Sequence, residues 1–326
     1  MGNKATAAST TEQALKKPDV AILIPCYNEE VTIGKVVSDF RRVLPDATVY
    51  VFDNNSSDRT AQIAREKGAV VIKEPRQGKG HVVRAMFTQV DADIYVMVDG
   101  DDTYPAEAAV DMVSKVAEGY DMVVGDRLSS TYFEENKRPF HNTGNRMVRA
   151  FINWFFHAHV HDIMTGYRAF SYSFAKTYPC LSRGFEIETE MTIYALDKDV
   201  RIFEMPIQYR DRPEGSESKL NTVGDGIKVL GTIFSMIRQY KPMPFFNVLG
   251  LILALIGVIM LVPVFATYTE TGLVPRFPTL FVAMILILLA CLLVIAGIIL
   301  DSHARRDRRD YIIHENMFAH RQHDGE

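Results

Sequence analysis

The chain has 326 residues, enough for one large or two small domains, and its formal net charge of -4 lacks the basic excess of a nucleic-acid-binding surface. Its three cysteines, Cys26, Cys180 and Cys291, lie far apart and form no CxxC pair and no even-numbered framework. That argues against a disulfide scaffold and points to a reducing compartment.

Residues 1–18 are polar and carry no apolar signal-peptide core, so they are expected to be a disordered leader. From Val20 the pattern alternates. Strands are expected at 20–24, 48–52, 70–72, 94–98 and 122–124, and helices at 33–43, 58–67, 81–90 and 106–118, with Ser56 or Ser57 capping the second helix. Repeated strand–helix units imply an α/β fold with a mainly parallel, Rossmann-like sheet covered on both faces. Ligands of such sheets bind beyond the carboxyl ends of the strands. Pro25-Cys26-Tyr27-Asn28, Asp53-Asn54-Asn55 and Asp99-Gly100-Asp101 all fall at those ends.

Asp99-Gly100-Asp101-Asp102 closes a hydrophobic strand and is followed by Pro105 opening a helix. Carboxylates crowded there call for a hard cation with oxygen ligands, and Mg²⁺ usually takes one or two carboxylates plus phosphate oxygens. Asp53 is placed to accept hydrogen bonds from a base or a ribose, while Ser57 and Asp58 serve the next helix. Gln77-Gly78-Lys79-Gly80 matches neither a Walker loop nor GxGxxG. It is either a plain turn or a helix N-terminus close to a ligand, and Lys79 is counted with the nucleotide-binding residues. Arg127, Arg146, Arg149, Arg168, Arg212 and Lys219 form a later basic set, and the arginine fork suits phosphate oxygens. The alternating His157, His159 and His161 have no cysteine partner and no HExxH pattern to support zinc.

Helical character is expected at 142–156 and a late strand at 202–209. In 222–242 apolar residues recur at helical spacing with Asp225, Lys228, Ser235 and Arg238 opposite, which favours an amphipathic helix in a membrane interface over one packed on the preceding domain. Val248–Tyr268 and Thr279–Leu300 are uncharged and apolar, each roughly 30 Å long as a helix. Residues 243–300 are therefore expected to form two membrane spans, with Pro263 bending the first and 301–326 a cytoplasmic tail. Arg238 and Lys241 precede the first span and Arg305, Arg306, Arg308 and Arg309 follow the second. That excess on the outer flanks places the preceding α/β domain and both termini in the cytoplasm, and two spans with little buried surface fit a homo-oligomer in the cell membrane.

The motifs Ile24-Pro25-Cys26-Tyr27-Asn28-Glu29-Glu30, Asp53-Asn54-Asn55-Ser56-Ser57-Asp58, Asp99-Gly100-Asp101, Val124-Gly125-Asp126-Arg127, Thr165-Gly166-Tyr167-Arg168-Ala169-Phe170, Gly184-Phe185-Glu186 and Arg212-Pro213-Glu214-Gly215-Ser216-Glu217-Ser218-Lys219 occur in one order. With them the chain resembles the family-two glycosyltransferases of the GT-A fold, in particular the dolichyl-phosphate mannose synthases and bacterial polyprenyl-phosphate glycosyltransferases. The resemblance covers about residues 20–242 and implies a GT-A domain over 19–221. It implies that Pro25, Tyr27, Glu29 and Asp53 hold the nucleoside of a nucleotide-sugar. Asp99 and Asp101 hold Mg²⁺ or Mn²⁺ and the diphosphate, and Arg127, Arg146, Arg212 and Lys219 face phosphates of donor or polyprenyl phosphate acceptor. Relatives carry glutamine two residues beyond the second aspartate, where this chain has Thr103. Asp102 is the expected replacement in the metal shell.

A lipid phosphate is already anionic at neutral pH and attacks without a general base, so an inverting single displacement is expected, with Asp99, Asp101, Arg127 and Arg212 as its catalytic residues. A processive synthase would show QxxRW, and the single tryptophan, Trp154, has no such motif around it. A transferase acting on a diacylglycerol lipid stays open. A non-catalytic adaptor is disfavoured by the intact aspartates.

Overall fold

The computed structural model describes residues 17–128, 139–213, 215, 231 and 233–323, and the side chains of 139–147 and 318–323 are outside that description. The leader through residue 16, the tail end at 324–326, and Lys219 with residues 222–230 and 232 of the amphipathic segment thus lie outside the described residues, as does the side chain of Arg146.

Seven strands form one sheet in the order β3-β2-β1-β4-β6-β5-β7. They are β1 (Val20–Cys26), β2 (Thr48–Asp53), β3 (Val70–Lys73), β4 (Ile94–Met97), β5 (Met122–Asp126), β6 (Arg168–Ser171) and β7 (Ile202–Pro206). All neighbours pair parallel except β6, which runs antiparallel between β4 and β5. Alternate residues of β1 serve opposite cores, as period-two geometry requires. Ala21 and Leu23 pack with α3 (Lys79–Gln89), α6 (Tyr172–Thr177) and α7 (Ile187–Asp197). Ile22 and Ile24 pack with α1 (Ile33–Val43), α2 (Thr60–Glu66) and α4 (Ala108–Ala117).

The expected cap of α2 is corrected. The helix starts at Thr60, and Asp58 Oδ1 accepts from the Thr60 backbone N–H at 2.9 Å. Ser56 and Ser57 are drawn instead to Asn28: Ser56 Oγ accepts from Asn28 N at 3.0 Å, and Ser57 N donates to Asn28 Oδ1 at 2.8 Å. Those bonds fasten the loop after β1 to the loop after β2, the arrangement the left-handed backbone of Asn28 and Asn55 permits.

Helix α5 (Pro139–Phe156) carries Val148 and Ile152 into the core. Residues 233–240 are helical, and Ile233, Met236, Ile237 and Tyr240 are buried in the same cluster as α7. In its described part this helix therefore packs on the catalytic domain, and Phe234 is left on the outer side.

The apolar C-terminal segment forms α8 (Pro242–Thr271) and α9 (Phe277–His323), both long and apolar enough to cross a membrane. They pack on small residues one heptad apart. A Cβ at Gly250 would lie 3.2 Å from Ala290 O, one at Gly257 would lie 3.1 Å from Ala283 O, and Gly297 faces Phe246 and Met243. Such close backbone approach is the usual packing mode where lipid removes the hydrophobic drive.

The segment after Leu300 is not a separate tail. Helix α9 continues unbroken through it and returns to the sheet domain. Tyr311 enters the core beside Tyr194, Arg308 Nη2 meets buried Asp197 Oδ1 at 2.6 Å and donates to Tyr240 O at 2.9 Å, and Asp307 pairs with buried Lys198. Removing one partner of a buried ion pair typically costs about 3–5 kcal/mol. Arg308→Ala is therefore expected to lower the thermal unfolding midpoint and to expose 301–323 to protease, as limited proteolysis followed by mass spectrometry would read. An unchanged digestion pattern would contradict this docking.

Candidate active site

Four loops converge at the carboxyl edge of β1, β2, β4 and β5, because parallel strands deliver all their following residues to one side. Asp99 and Asp101 follow β4. Pro25, Tyr27 and Glu29 lie at and just beyond the end of β1, and Asp53 ends β2. Tyr27 is exposed at the rim, whereas Glu29, Asp53 and Asp101 are buried.

Each aspartate of the Asp99-Gly100-Asp101 turn is met by a cation. Lys79 Nζ, at the first residue of α3, lies 2.5 Å from Asp99 Oδ1 and 2.6 Å from Glu188 Oε1 in the first turn of α7. Burial disfavours the Lys79 ammonium, but the Asp99 and Glu188 carboxylates outweigh it and push its pKa up, so it stays charged. Arg212 Nη2 lies 2.7 Å from Asp101 Oδ2, and its Nη1 reaches Glu29 Oε1 at 3.4 Å. Burial and the neighbouring Asp99 raise the Asp101 carboxyl above its usual range, against the pull of Arg212. A bound divalent cation would reverse that balance. Asp53 Oδ1 accepts from Ser56 N, three residues on, at 3.1 Å.

The backbone is shaped to allow these approaches. A Cβ at Gly166 would fall 2.2 Å from Asp99 Oδ2, and one at Gly100 would fall 2.7 Å from Cys26 Sγ. The glycine turn opens α3. A Cβ at Gly80 would sit 2.0 Å from Ser182 O, so the turn docks tightly on the 182–183 backbone, and that docking delivers Lys79 to Asp99. Asn54 secures the same loop: its Nδ2 donates to Glu74 O and Arg76 O at 2.9 and 2.8 Å, and Gly78 N donates to its Oδ1 at 2.7 Å.

Asp102, Arg127 and Arg168 each find partners within the protein. Asp102 has a left-handed backbone, φ 59°, and pairs with Lys35 Nζ at 2.6 Å. Thr103 Oγ1, in the place of the relatives' glutamine, donates to Asp101 Oδ1 at 2.7 Å and orients it. Arg127 directs its fork to Asp162, with Nε at 2.8 Å from Oδ2 and Nη2 at 3.1 Å from Oδ1, and lies over the Tyr209 ring at 5.5 Å. Those contacts fix the end of β5. Arg168 is wholly buried and donates to Thr165 O, Ile163 O and Thr192 Oγ1. His161 Nδ1 is 3.0 Å from Glu204 Oε2, and no histidine-containing metal cluster occurs among the described residues.

Glu188 and Asn54 are the site residues that sequence reasoning missed. The signal for Glu188 was a pair of acidic residues, Glu188 and Glu190, inside a helix that is otherwise buried. Glu190 has a local task, accepting from Leu181 N and Ser182 N at 2.8 and 2.6 Å. Asp99 and Asp101 do not make a complete cage, since no group of three His, Cys, Asp or Glu that could hold a metal is present among the described residues. Two oxygen-donor carboxylates at one turn fit Mg²⁺ or Mn²⁺ completed by phosphate oxygens.

Burial alone would raise the Asp162 carboxyl, yet the Arg127 guanidinium holds it below its ordinary value of 3.8. A depressed folded-state pKa gives stability that is present above the unfolded value and is lost as pH falls through the folded value. Asp162→Asn is expected to destabilise the protein at neutral pH, with the difference from wild type shrinking below about pH 4. A difference independent of pH in denaturant titrations would contradict the pairing.

Comparison with known proteins follows the same lines. Residues 21–178 match the model of Glycosyl transferase family 2. Glycosyltransferase AglJ of Haloferax volcanii is 36% identical over 237 residues, covering 72% of this chain and 77% of AglJ. A dolichyl-phosphate hexose transferase of the same organism is 33% identical over 223 residues, covering 68% of this chain and 96% of that one. Among solved structures, glucosyl-3-phosphoglycerate synthase of Mycobacterium tuberculosis, in complex with Mn²⁺, UDP and phosphoglyceric acid, superposes with a TM-score of 0.53. It is 20% identical and covers 67% of this chain and 78% of its own, which establishes a shared GT-A-type fold. The sheet, the edge on which the charged loops converge and the extent of these similarities agree: the chain belongs to glycosyl transferase family 2 and is a glycosyltransferase.

Proposed function

We propose that this enzyme transfers one sugar from a UDP- or GDP-sugar to a polyprenyl phosphate in a single inverting displacement. The observation that carries the reading is the pair of clusters Asp99–Lys79–Glu188 and Asp101–Arg212–Glu29 at the sheet edge, each with one cation between two carboxylates. Such a site is built to manage diphosphate charge, and a phosphate nucleophile needs no proton removed. The relative named dolichyl-phosphate hexose transferase supports the acceptor class.

In this reading Pro25, Tyr27, Glu29 and Asp53 line the nucleoside site. Asp99 and Asp101 hold Mg²⁺ or Mn²⁺, oriented by Lys79 and Thr103. When bound, the cation would neutralise charge on the departing nucleotide diphosphate. Lys79 stays protonated between two carboxylates and offers positive charge at the same edge. Arg212, at the mouth of the site, joins the metal-facing Asp101 to the nucleoside-facing Glu29 and is assigned the acceptor or donor phosphate with Arg146 and Lys219. Helices α8 and α9 cross the cell membrane, with the catalytic domain and both termini on the cytoplasmic, positively flanked side.

The purified protein, incubated with Mg²⁺, undecaprenyl phosphate and a panel of UDP- and GDP-sugars, is expected to form a lipid-linked monosaccharide from one donor. EDTA should abolish turnover, and Mg²⁺ or Mn²⁺ should restore it. Asp101→Ala is expected to lower kcat by about 10²–10³-fold, the usual scale for loss of one preorganised electrostatic group. A product with retained anomeric configuration by NMR, or an Asp101→Ala enzyme with undiminished kcat, would sink the reading.

A further inference from the structure

Thr32 stands at the N-cap of α1, where a threonine hydroxyl ordinarily accepts from the second or third backbone N–H of its own helix. Here it makes no such bond, and its backbone, φ -110° and ψ -34°, is turned towards the helix instead of being extended as a cap usually is. Its Oγ1 donates instead to Gly100 O at 2.7 Å, across 68 residues of sequence. Thr32 is 1% exposed, so water does not compete for that proton. The hydroxyl has one proton to give. Glu29 O and Glu29 Oε2 both lie 3.4 Å away, at the limit of a hydrogen bond, and the shorter contact to Gly100 O takes it.

Gly100 is the middle residue of the turn that carries Asp99 and Asp101. Its carbonyl is held by Thr32, and its α-carbon is packed against the end of β1, since a Cβ there would fall 2.7 Å from Cys26 Sγ. Lys35, one turn along α1, adds a contact to Asp102 Oδ1 at 2.6 Å. The Lys35 side chain is 52% exposed, and an ion pair so open to water contributes little. The buried hydroxyl bond is therefore the stronger hold of α1 on this turn.

Thr32 also belongs to the loop that carries Glu29. Glu29 O accepts from Thr32 N and Ile33 N at 3.1 and 2.9 Å, so residues 29–33 form one bonded turn. The Glu29 carboxylate meets Arg212, and Arg212 meets Asp101, the residue after Gly100. The path from Gly100 through Thr32, Glu29 and Arg212 thus returns to the same turn. Groups behind a pair of metal-facing carboxylates fix their orientation, and Mg²⁺ in particular demands near-ideal geometry.

We propose that Thr32 is a positioning residue of this enzyme. Its hydroxyl sets the Asp99-Gly100-Asp101 backbone against the loop that carries Glu29, and thereby sets the affinity of the two aspartates for a divalent cation. Thr32 acts through Gly100 and is not itself a ligand. The proposal rests on the metal-dependent reading of the site given above.

The test is a titration of Mn²⁺ into the full-length, detergent-solubilised protein, with UDP and with GDP, in which unbound Mn²⁺ is read by its EPR signal. Wild type, Thr32→Val, Thr32→Ala and Thr32→Ser are compared well below the unfolding midpoint of each. Thr32→Val keeps the shape and removes the donor. Thr32→Ala is carried alongside, so that a poorly folding Thr32→Val does not decide the matter. Both variants without the hydroxyl are expected to bind Mn²⁺ roughly tenfold more weakly, the scale of one buried hydrogen bond lost, and Thr32→Ser is expected to keep wild-type affinity. A merely structural role would lower the unfolding midpoints and leave the Mn²⁺ affinity of the folded protein unchanged, and that result would overturn the proposal while the metal-dependent reading stands. Equal weakening in Thr32→Ser would also overturn it, since the methyl group rather than the hydroxyl would then be what matters. A wild-type protein that binds no Mn²⁺ with either nucleotide would overturn the proposal together with the reading beneath it.

Discussion

Two carboxylates two residues apart at the end of a buried strand repel each other and lose hydration, so they persist only where positive charge reaches them. Asp101 is buried, and that burial together with the neighbouring Asp99 carboxylate raises its cost of ionisation. Much of the surrounding architecture is arranged around that requirement. Lys79 reaches Asp99 because α3 starts on a glycine turn that lets its backbone touch residues 182–183. Glu188 holds Lys79 from the other side. Arg212 reaches Asp101 from the segment after β7, and Gly166 leaves room for the Asp99 carboxylate itself. Both cations are paired, so in the proposed function a divalent ion with a diphosphate would meet a site whose negative charge is already half compensated. That limits the repulsion between the aspartates and an anionic donor.

Legibility in the sequence followed the period of the pattern. β1, β2 and β4 and helices α1 to α4 repeat apolar residues at strand or helix spacing and were found within a few residues of their bounds. β6 was not, because Arg168-Ala169-Phe170-Ser171 is four residues long, opens with a buried arginine, and owes its strand to neighbours on both sides. The two aspartates were legible because acidic residues at the end of an apolar strand have few structural uses. The partners were harder. Nothing local distinguishes Arg127, which forks onto Asp162, from Arg212, which reaches the site, since each choice is made by residues far away in sequence. Asp102 misled for a related reason: adjacency to Asp101 says nothing about direction once the backbone turns left-handed.

The carboxyl-terminal helices were legible as apolar runs, but their join to the catalytic domain was not. A basic segment after an apolar run reads as a solvated flank, and much of its charge remains solvated. Arg308, Asp307 and Tyr311, however, share one face of α9 at helical spacing and dock on Asp197, Lys198 and Tyr194. A helix of 47 residues is about 70 Å long, more than twice a hydrocarbon core, so its second half extends from the apolar hairpin along the sheet domain. The junction is a packed one rather than a linker, and it couples the orientation of the domain to that of the hairpin.

The central claim is that Asp99 and Asp101, held in place by Lys79, Glu188 and Arg212, form a metal-dependent diphosphate site. Calorimetric titration of UDP and GDP into the full-length protein, with Mg²⁺ and then with EDTA, tests it most directly when repeated on Gly166→Ala, whose Cβ would collide with the Asp99 carboxylate. The account predicts that one nucleotide binds in Mg²⁺, that EDTA removes the binding, and that Gly166→Ala weakens it while the protein keeps its thermal unfolding midpoint. Binding of equal strength with and without the cation, or unchanged in Gly166→Ala, would contradict the account.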